Sequence, residues 1–587
     1  MTIAATSDEC MKRQISGQNN SNDLAHRIAA LEPDKRTALR QNLDRKRVDG
    51  HSLVAQSLKR LGITHVYCVS GTPIRETFVK CGELGIRLIG VRHQQAGVLM
   101  ALAQNYVCGR LTAVSILSAG PAVTNAATSI LVARDNCWPV IVLGGRRPLS
   151  MQRMGSFQDL DSIPVYKSIT KWSALVESVS SIPAYLERAF RIASSGRSGP
   201  VYLDLPEDVL SETVIPSELD FRSHDDSPIP DARAVSEAAA LLLSAKRPAI
   251  IIGKGIRWSE PYDEIECLVT EYGIPFMTSP MGRGYLPDDH LLCYNHARRV
   301  LLGDADVVLL AGARLDWSFR FGSEFAPDVK VIQIDIDPSE IGINKTAKVG
   351  IVGDVKDVLH EITAEMKRNQ NRCKRHDLAL WQKTLREERE SKRRRIDSAL
   401  DSDSLPMAPH RMLREIRDFL PRDAICILDG NISMAAAQQV LPAYLPASRI
   451  TAGSNGCMGV GIPFGVGAKL ARPDNAVVVI CGDTAFAFNA MEMETAVRHG
   501  IAIIIIVVNN EGNCGALMQK SFPAGGERIT MFQPGIRYES IMGAFGGQAE
   551  FVDHPEQLQP ALKRAMASGK PACINVQVDP YAPYPGD

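Results

Sequence analysis

Asp483 and Asn510 each close an apolar run, the first ending in Gly482-Asp483-Thr484 and the second in Asn509-Asn510. The stretch between them, Ala485 to Gly500, carries Phe486, Met491, Met493, Ala496 and Val497 at mixed helical spacings, which predicts strand, turn, helix, strand. Such a βαβ crossover sets its two strand ends side by side. Asp483 then offers a carboxylate oxygen, Asn510 an amide oxygen, and the turn Glu511-Gly512-Asn513 a backbone carbonyl at Gly512. Hard oxygens of this kind suit a Mg²⁺ ion that must also hold phosphate oxygens. The helix opening after Thr484 directs free backbone N–H groups at the same place. The ligand that fits is a magnesium diphosphate; the plainer alternative is an ordinary buried crossover with a polar strand end.

At these residues the chain resembles the thiamine-diphosphate (ThDP) enzymes, whose signature is Gly-Asp-Gly/Ser, a spacer of similar length, and Asn-Asn. Upstream, Ser454-Asn455-Gly456-Cys457-Met458-Gly459 extends the resemblance. Met458 matches the bulky apolar residue that wedges the cofactor into a bent shape, and Gly456 the residue whose carbonyl faces the aminopyrimidine N4′. The resemblance therefore implies Mg²⁺ on Asp483, Asn510 and Gly512, and ThDP on Gly456, Met458, Gly482, Asp483, Thr484, Ala485, Asn510 and Gly512. It covers nearly everything from residue 48 to 580, and is strongest to the branch containing 2-hydroxyacyl-CoA lyase and oxalyl-CoA decarboxylase, with acetolactate synthase more distant. Asn136-Cys137-Trp138-Pro139, Met154-Gly155-Ser156-Phe157-Gln158, Ser195-Gly196-Arg197-Ser198-Gly199-Pro200 and Gly312-Ala313-Arg314-Leu315-Asp316-Trp317 carry that impression.

Composition agrees with a large globular enzyme without naming one. At 587 residues, 45% hydrophobic and 22% charged, the chain is long enough for several domains with cores of their own. A formal net charge of zero and no basic stripe argue against nucleic acid and anionic membranes as partners. The 13 cysteines are scattered without a CxxC pair, which favours a reducing compartment. The longest aliphatic run, Ile501 to Val508, is too short to span a bilayer, and Met1 to Ser21 lacks an apolar signal core. A cytoplasmic protein is expected.

The fold expected is α/β, with three doubly wound parallel-sheet domains and a helical N-terminal extension. Residues 1–47 form that extension, partly disordered, with short helices marked by Leu24, Ile28 and Leu31 and by Leu39 and Leu43. Residues 48–218 alternate strands and helices, as at Val66–Val69, Leu88–Val91, Ala113–Leu117 and Val140–Leu143; a second unit covers 228–366, and a third 406–587. Between the last two, residues 367–405 are strongly charged and read as a solvated helical connector. The resemblance makes the three units the pyrimidine-binding, central Rossmann-like and diphosphate-binding domains.

Departures from the family pattern are as informative as the matches. Relatives activate ThDP with a glutamate in Arg-His/Asn-Glu-Gln-Ala; here the string is Arg92-His93-Gln94-Gln95-Ala96, so an amide stands at the catalytic position. Gln94 keeps a hydrogen bond but cannot deliver a proton, which removes assistance typically worth about 10²- to 10⁴-fold. The alternatives are a slower or retuned enzyme, as in glyoxylate carboligases that also lack this carboxylate, a relay through His93, or a catalytically impaired homologue acting as a scaffold. Ser118-Ala119-Gly120-Pro121-Ala122 places a methyl at Ala122 where relatives have glycine, restricting backbone freedom beside the substrate. Phe157-Gln158 is retained at the substrate border, and with Gln94, His93 and Met458 makes Gln158 a catalytic candidate. Arg314 and Asp335 match an adenine-nucleotide site in the central domain.

Acyl-CoA-using relatives close a basic C-terminal tail over CoA, whereas this chain ends Val578-Asp579-Pro580-Tyr581-Ala582-Pro583-Tyr584-Pro585-Gly586-Asp587. That favours a free 2-oxo acid or a carrier-protein thioester as rivals to CoA. The phrase from Leu24 to Arg36 resembles the segment preceding condensation domains of non-ribosomal peptide synthetases, which points to a synthetase or carrier partner and a natural-product pathway. The reading is thus a lyase, carboligase or decarboxylase acting on a 2-oxo acid or a 2-hydroxyacyl or 2-oxoacyl thioester. It works as a homodimer or homotetramer, because in this family one subunit's pyrimidine domain faces another's diphosphate domain.

Overall fold

The computed structural model describes residues 47–215, 227–371, 376–513 and 527–582, with positions 32, 33, 35 and 525. The expected helices of the N-terminal extension lie outside the described residues, save those three positions. Three parallel sheets carry the fold. The first joins β2 (His65–Cys68), β3 (Arg87–Gly90), β4 (Ala113–Leu117), β5 (Val140–Arg146), β6 (Trp172–Leu175) and β7 (Pro200–Pro206) in the order β3-β2-β4-β5-β7-β6. A short antiparallel pair, β1 (Val48–Asp49) with β8 (Thr213–Val214), ties the start of this unit to its end. The second sheet orders β9 (Pro248–Ile252), β10 (Phe276–Thr278), β11 (Val307–Ala311), β12 (Lys330–Asp335) and β13 (Val349–Val352) as β10-β9-β11-β12-β13.

The third sheet holds β14 (Ile425–Asp429), β15 (Arg449–Thr451), β16 (Val477–Gly482), β17 (Ile504–Asn509), β18 (Gln548–Val552) and β19 (Ala572–Gln577), in the order β15-β14-β16-β17-β19-β18. Strands such as β4, β9 and β17 are buried along their whole length. Helices cover both faces of a parallel sheet, so its strands read as unbroken aliphatic runs.

Two expectations need correcting. The crossover between β16 and β17 is not one helix but two, Asp483–Asn489 and Glu492–Arg498. The chain tightens between them into i→i+3 bonds, Met493 N–H to Ala490 O at 3.0 Å and Glu494 N–H to Met491 O at 3.1 Å. The charged stretch after residue 367 is also no free connector. Its helix, Ala379–Leu400, buries Trp381, Leu385, Ile396 and Leu400, and the Trp381 indole donates to Pro248 O at 3.0 Å.

The first and third units share one apolar core. The helix Gln94–Cys108 lies against the helix Gly461–Ala471 so closely that a Cβ built on Gly467 would sit 2.2 Å from Met100 O. Trp138 stacks on Tyr106 with centroids 4.4 Å apart and leans on Phe464 at 5.4 Å. The central unit reaches the same place: Arg257 donates to Tyr106 O (2.7 Å) and Val107 O (3.1 Å), and the Tyr106 hydroxyl donates to Met281 O at 3.1 Å.

Candidate cofactor and substrate site

Parallel pairing of β16 with β17 sets Gly482 beside Val508, which brings Asp483 and the turn after Asn509 to one edge of the third sheet. Asp483 is only 1% exposed. Its carboxylate accepts the Thr484 N–H at 2.6 Å and the Gly512 N–H at 2.9 Å. No Lys or Arg pairs with it among the described residues, and burial, only partly offset by the Gly512 and Thr484 amides, pushes its pKa up to about 6. Gly482, Asp483, Thr484 and Ala485 line a small cavity of about 60 Å³ with Asn510, Gly512, Met458 and Gly430. Gly512 has no room for a side chain, since a Cβ there would lie 2.4 Å from Thr530 O. Among the described residues no group of three or more His, Cys, Asp or Glu could hold a metal ion, so a cation here would draw on the Asp483 carboxylate supplemented by amide and backbone oxygens, with Asp579 also on the cavity wall.

The loop before this cavity is held from three sides. Asp429, at the end of β14, accepts the N–H groups of Gly459 (3.3 Å) and Gly461 (2.7 Å), and the Asn489 amide donates to Gly459 O at 2.6 Å. From the first unit, Asn136 donates to Ala452 O at 2.9 Å and Asp135 accepts from Asn455 at 2.7 Å. From the second, the Lys254 ammonium and the Trp317 indole reach the Ser454 hydroxyl (3.1 Å) and carbonyl (3.0 Å). Gly456 turns left-handed at φ +67°, with open space where a Cβ would be. Asp429 was not among the expected site residues. The available signal was Asp429-Gly430 closing a neighbouring apolar run at the same sheet edge.

Gln94 opens the helix Gln94–Cys108, and the His93 ring caps it by accepting the Gln95 N–H at 3.2 Å. The Gln94 carbonyl oxygen accepts from the Asn125 amide at 3.0 Å. Glu492, buried on the third unit, accepts the N–H groups of Arg92 and His93, each at 3.0 Å, and the Thr495 hydroxyl at 2.7 Å. Gln158 lies in a left-handed turn (φ 59°) against Gly120, where a Cβ would meet Gln158 O at 2.8 Å. Within Ser118-Ala119-Gly120-Pro121-Ala122 the residue at positive φ is Gly120 (φ +59°). Ala122 sits buried in the short helix Pro121–Asn125, so its methyl imposes no left-handed strain.

Neither Gln94, His93 nor Gln158 lines the cavity at Asp483. Phe157 beside Gln158 is 76% exposed, and Phe488 on the helix that starts at Asp483 is 58% exposed.

Arg314 and Asp335 meet elsewhere, in a cavity of about 560 Å³ that also takes in Cys137, Arg197 and Lys254. Arg314 donates to Glu340 at 2.9 Å, and Arg197 pairs with the same carboxylate. Burial raises Asp335 to about 6, and its carboxylate accepts the Asp337 N–H at 3.0 Å. Gly253 cannot carry a side chain, because a Cβ there would lie 2.1 Å from Gly312 O.

Residues 48–165 match the thiamine pyrophosphate enzyme N-terminal TPP binding domain, 235–362 the central domain and 429–576 the C-terminal TPP binding domain. The chain belongs to the thiamine pyrophosphate enzymes. It is similar to 2-hydroxyacyl-CoA lyase 1 of Homo sapiens, 33% identical over 572 residues that cover 94% of this chain and 97% of the relative. An acetolactate synthase large subunit of Mycobacterium tuberculosis is 33% identical over 540 residues, 91% of this chain and 96% of its own. Oxalyl-CoA decarboxylase of Escherichia coli is 31% identical over 544 residues, 91% of this chain and 95% of its own. Among the described residues no helix is long and apolar enough to cross a membrane.

Proposed function

We propose that this thiamine-diphosphate enzyme uses Mg²⁺ to make or break a carbon–carbon bond beside the carbonyl of a 2-oxo acid or a 2-hydroxyacyl or 2-oxoacyl thioester. The observation that carries the reading is Asp483, a buried carboxylate without a cationic partner among the described residues, on the wall of a cavity shared with Asn510, Gly512 and Met458. A divalent cation offsets the cost of that burial, and oxygen donors are what Mg²⁺ takes. Asp483, Asn510 and Gly512 hold the metal, Gly482, Thr484 and Ala485 border the diphosphate, and Gly456 and Met458 seat the rings. When bound, the cofactor supplies a carbon nucleophile and an electron sink.

The pyrimidine side comes from a second copy of the chain. Gln94, His93 and Gln158 stand off the Asp483 cavity, and exposed Phe157 and Phe488 give the two surfaces apolar faces to bury. Two further cavities bear on the substrate and on regulation. One of about 470 Å³, between the central unit and the helix Ala379–Leu400, is lined by Arg298, Arg299, Lys392 and Arg395. Glu324 and Glu388 line it too, and Glu324 pairs with Arg298, but Arg299 and Lys392 have no acidic partner among the described residues, which supports a phosphate-bearing thioester. The other, at Arg314 and Asp335, suits an adenine nucleotide, the acidic strand end facing a ribose. The described cysteines are all free, in keeping with a cytoplasmic site of action.

Calorimetry tests the core of this reading: wild type should bind ThDP only with Mg²⁺, and Mg²⁺-dependent binding of equal strength by Asp483→Ala would overturn it. Offering one acyl group as CoA thioester, carrier-protein thioester and free acid decides the substrate form. Arg299→Ala should raise KM for a phosphate-bearing form alone. Gln94 favours a second reading, an impaired cofactor-binding scaffold, which predicts C2 proton exchange no faster than in free ThDP.

A further inference from the structure

Gln94 is held at both ends. Its helix begins where Glu492 takes the Arg92 and His93 N–H groups, which fixes the backbone from which the side chain leaves. Its carbonyl oxygen is occupied by the Asn125 amide at 3.0 Å, while its own NH₂ group has no acceptor among the described residues. An amide is asymmetric, one end accepting and the other donating. With the carbonyl turned to Asn125, the end left without a partner among the described residues is the donor.

We infer that Asn125 is a positioning residue that turns the Gln94 amide so that its NH₂, not its carbonyl, meets the pyrimidine N1′ of the cofactor. This rests on the reading that Gln94 faces N1′. An aromatic ring nitrogen is an acceptor, so a donor amide retains the hydrogen bond of a protonated glutamate without transferring a proton. Reversed, the amide would set two lone pairs against each other. Glu492 does not replace the missing acid, because its carboxylate already accepts from two backbone N–H groups and the Thr495 hydroxyl. Asn125 acts through the orientation of its neighbour and needs no contact with the cofactor.

The test exploits that orientation. In Asn125→Asp the new carboxylate can only accept, so it should capture the Gln94 NH₂ and turn the carbonyl toward N1′. In Asn125→Ala the amide is free to rotate. Calorimetric affinities, with Mg²⁺, are measured for ThDP and for an analogue carrying C–H in place of N1′. One hydrogen bond is at stake, so Asn125→Asp should lose about tenfold in ThDP affinity and Asn125→Ala about threefold. Both variants should bind the analogue as wild type does, so the wild-type preference for ThDP over the analogue disappears or inverts in Asn125→Asp.

Equal losses for both ligands, or none for either, would overturn the assignment. Asn125 is exposed, so melting temperatures should be unchanged; if Asn125→Asp does not fold, Asn125→Ala carries the comparison with its smaller expected loss. A wild type that binds neither ligand would instead refute the function proposed above, and this inference with it.

Discussion

At the residue scale the proposed site turns on Asp483, Gln94 and Asp429. Asp483 is a buried carboxylate with no Lys or Arg partner among the described residues, and replacing it with alanine should abolish Mg²⁺-dependent ThDP binding while secondary structure by circular dichroism stays native. Gln94 is an amide at an acid's position; Gln94→Glu should speed C2 proton exchange by about 10- to 100-fold in quenched-flow NMR, the low end of what general acid assistance contributes. Asp429, gripping the Gly459–Gly461 backbone, has its pKa pushed up to about 7 by burial, partly offset by the Gly461 and Gly459 N–H groups. Unfolded, it ionises near the ordinary value of about 4. Between those values the folded chain holds a proton that the unfolded chain has released, so this residue's contribution to stability falls as pH rises through the window. The melting temperature of wild type relative to Asp429→Asn should accordingly decline from pH 5 to pH 8, and a constant difference would sink the argument.

Asp483 and Asn510 were legible because a polar residue closing an aliphatic run marks a strand end. Asp429 carries the same mark at the end of its own run. Asn125 and Glu492 gave no signal, since their importance arises only from residues far away in sequence that folding brings beside them.

At the element scale the alternation of aliphatic runs with amphipathic stretches revealed most strands, because parallel sheets bury whole strands. The break in the crossover helix was hidden. Ala490 and Met491 are good helix formers, and the tightening there comes from tertiary demands: Asn489 must reach Gly459 O and Glu492 must reach the Arg92–His93 backbone. Glu492→Ala should therefore destabilise the protein by about 1–3 kcal/mol, the cost of losing its carboxylate's hydrogen bonds to the part-buried Arg92 and His93 N–H groups, measured by chemical denaturation. The helix Ala379–Leu400 shows the opposite failure. Its charge run masked the buried face of Trp381, Leu385, Ile396 and Leu400.

At the scale of the whole molecule, Gln94, His93 and Gln158 do not line the cavity that holds Asp483 on the same chain, which is the basis of the proposed second copy. Phe488→Glu should shift sedimentation toward monomers and weaken ThDP binding in parallel, whereas a monomer that binds ThDP as tightly as wild type would rule out a shared site. The contact of Gly467 with Met100 O sets a further constraint. Helices whose main chains touch cannot be parted without exposing backbone and a common apolar core, so the N-terminal and C-terminal TPP binding units are not interchangeable modules. A chimera that takes one unit from a relative must also inherit its partner helix. Expressed alone, residues 406–587 should form an aggregating fragment.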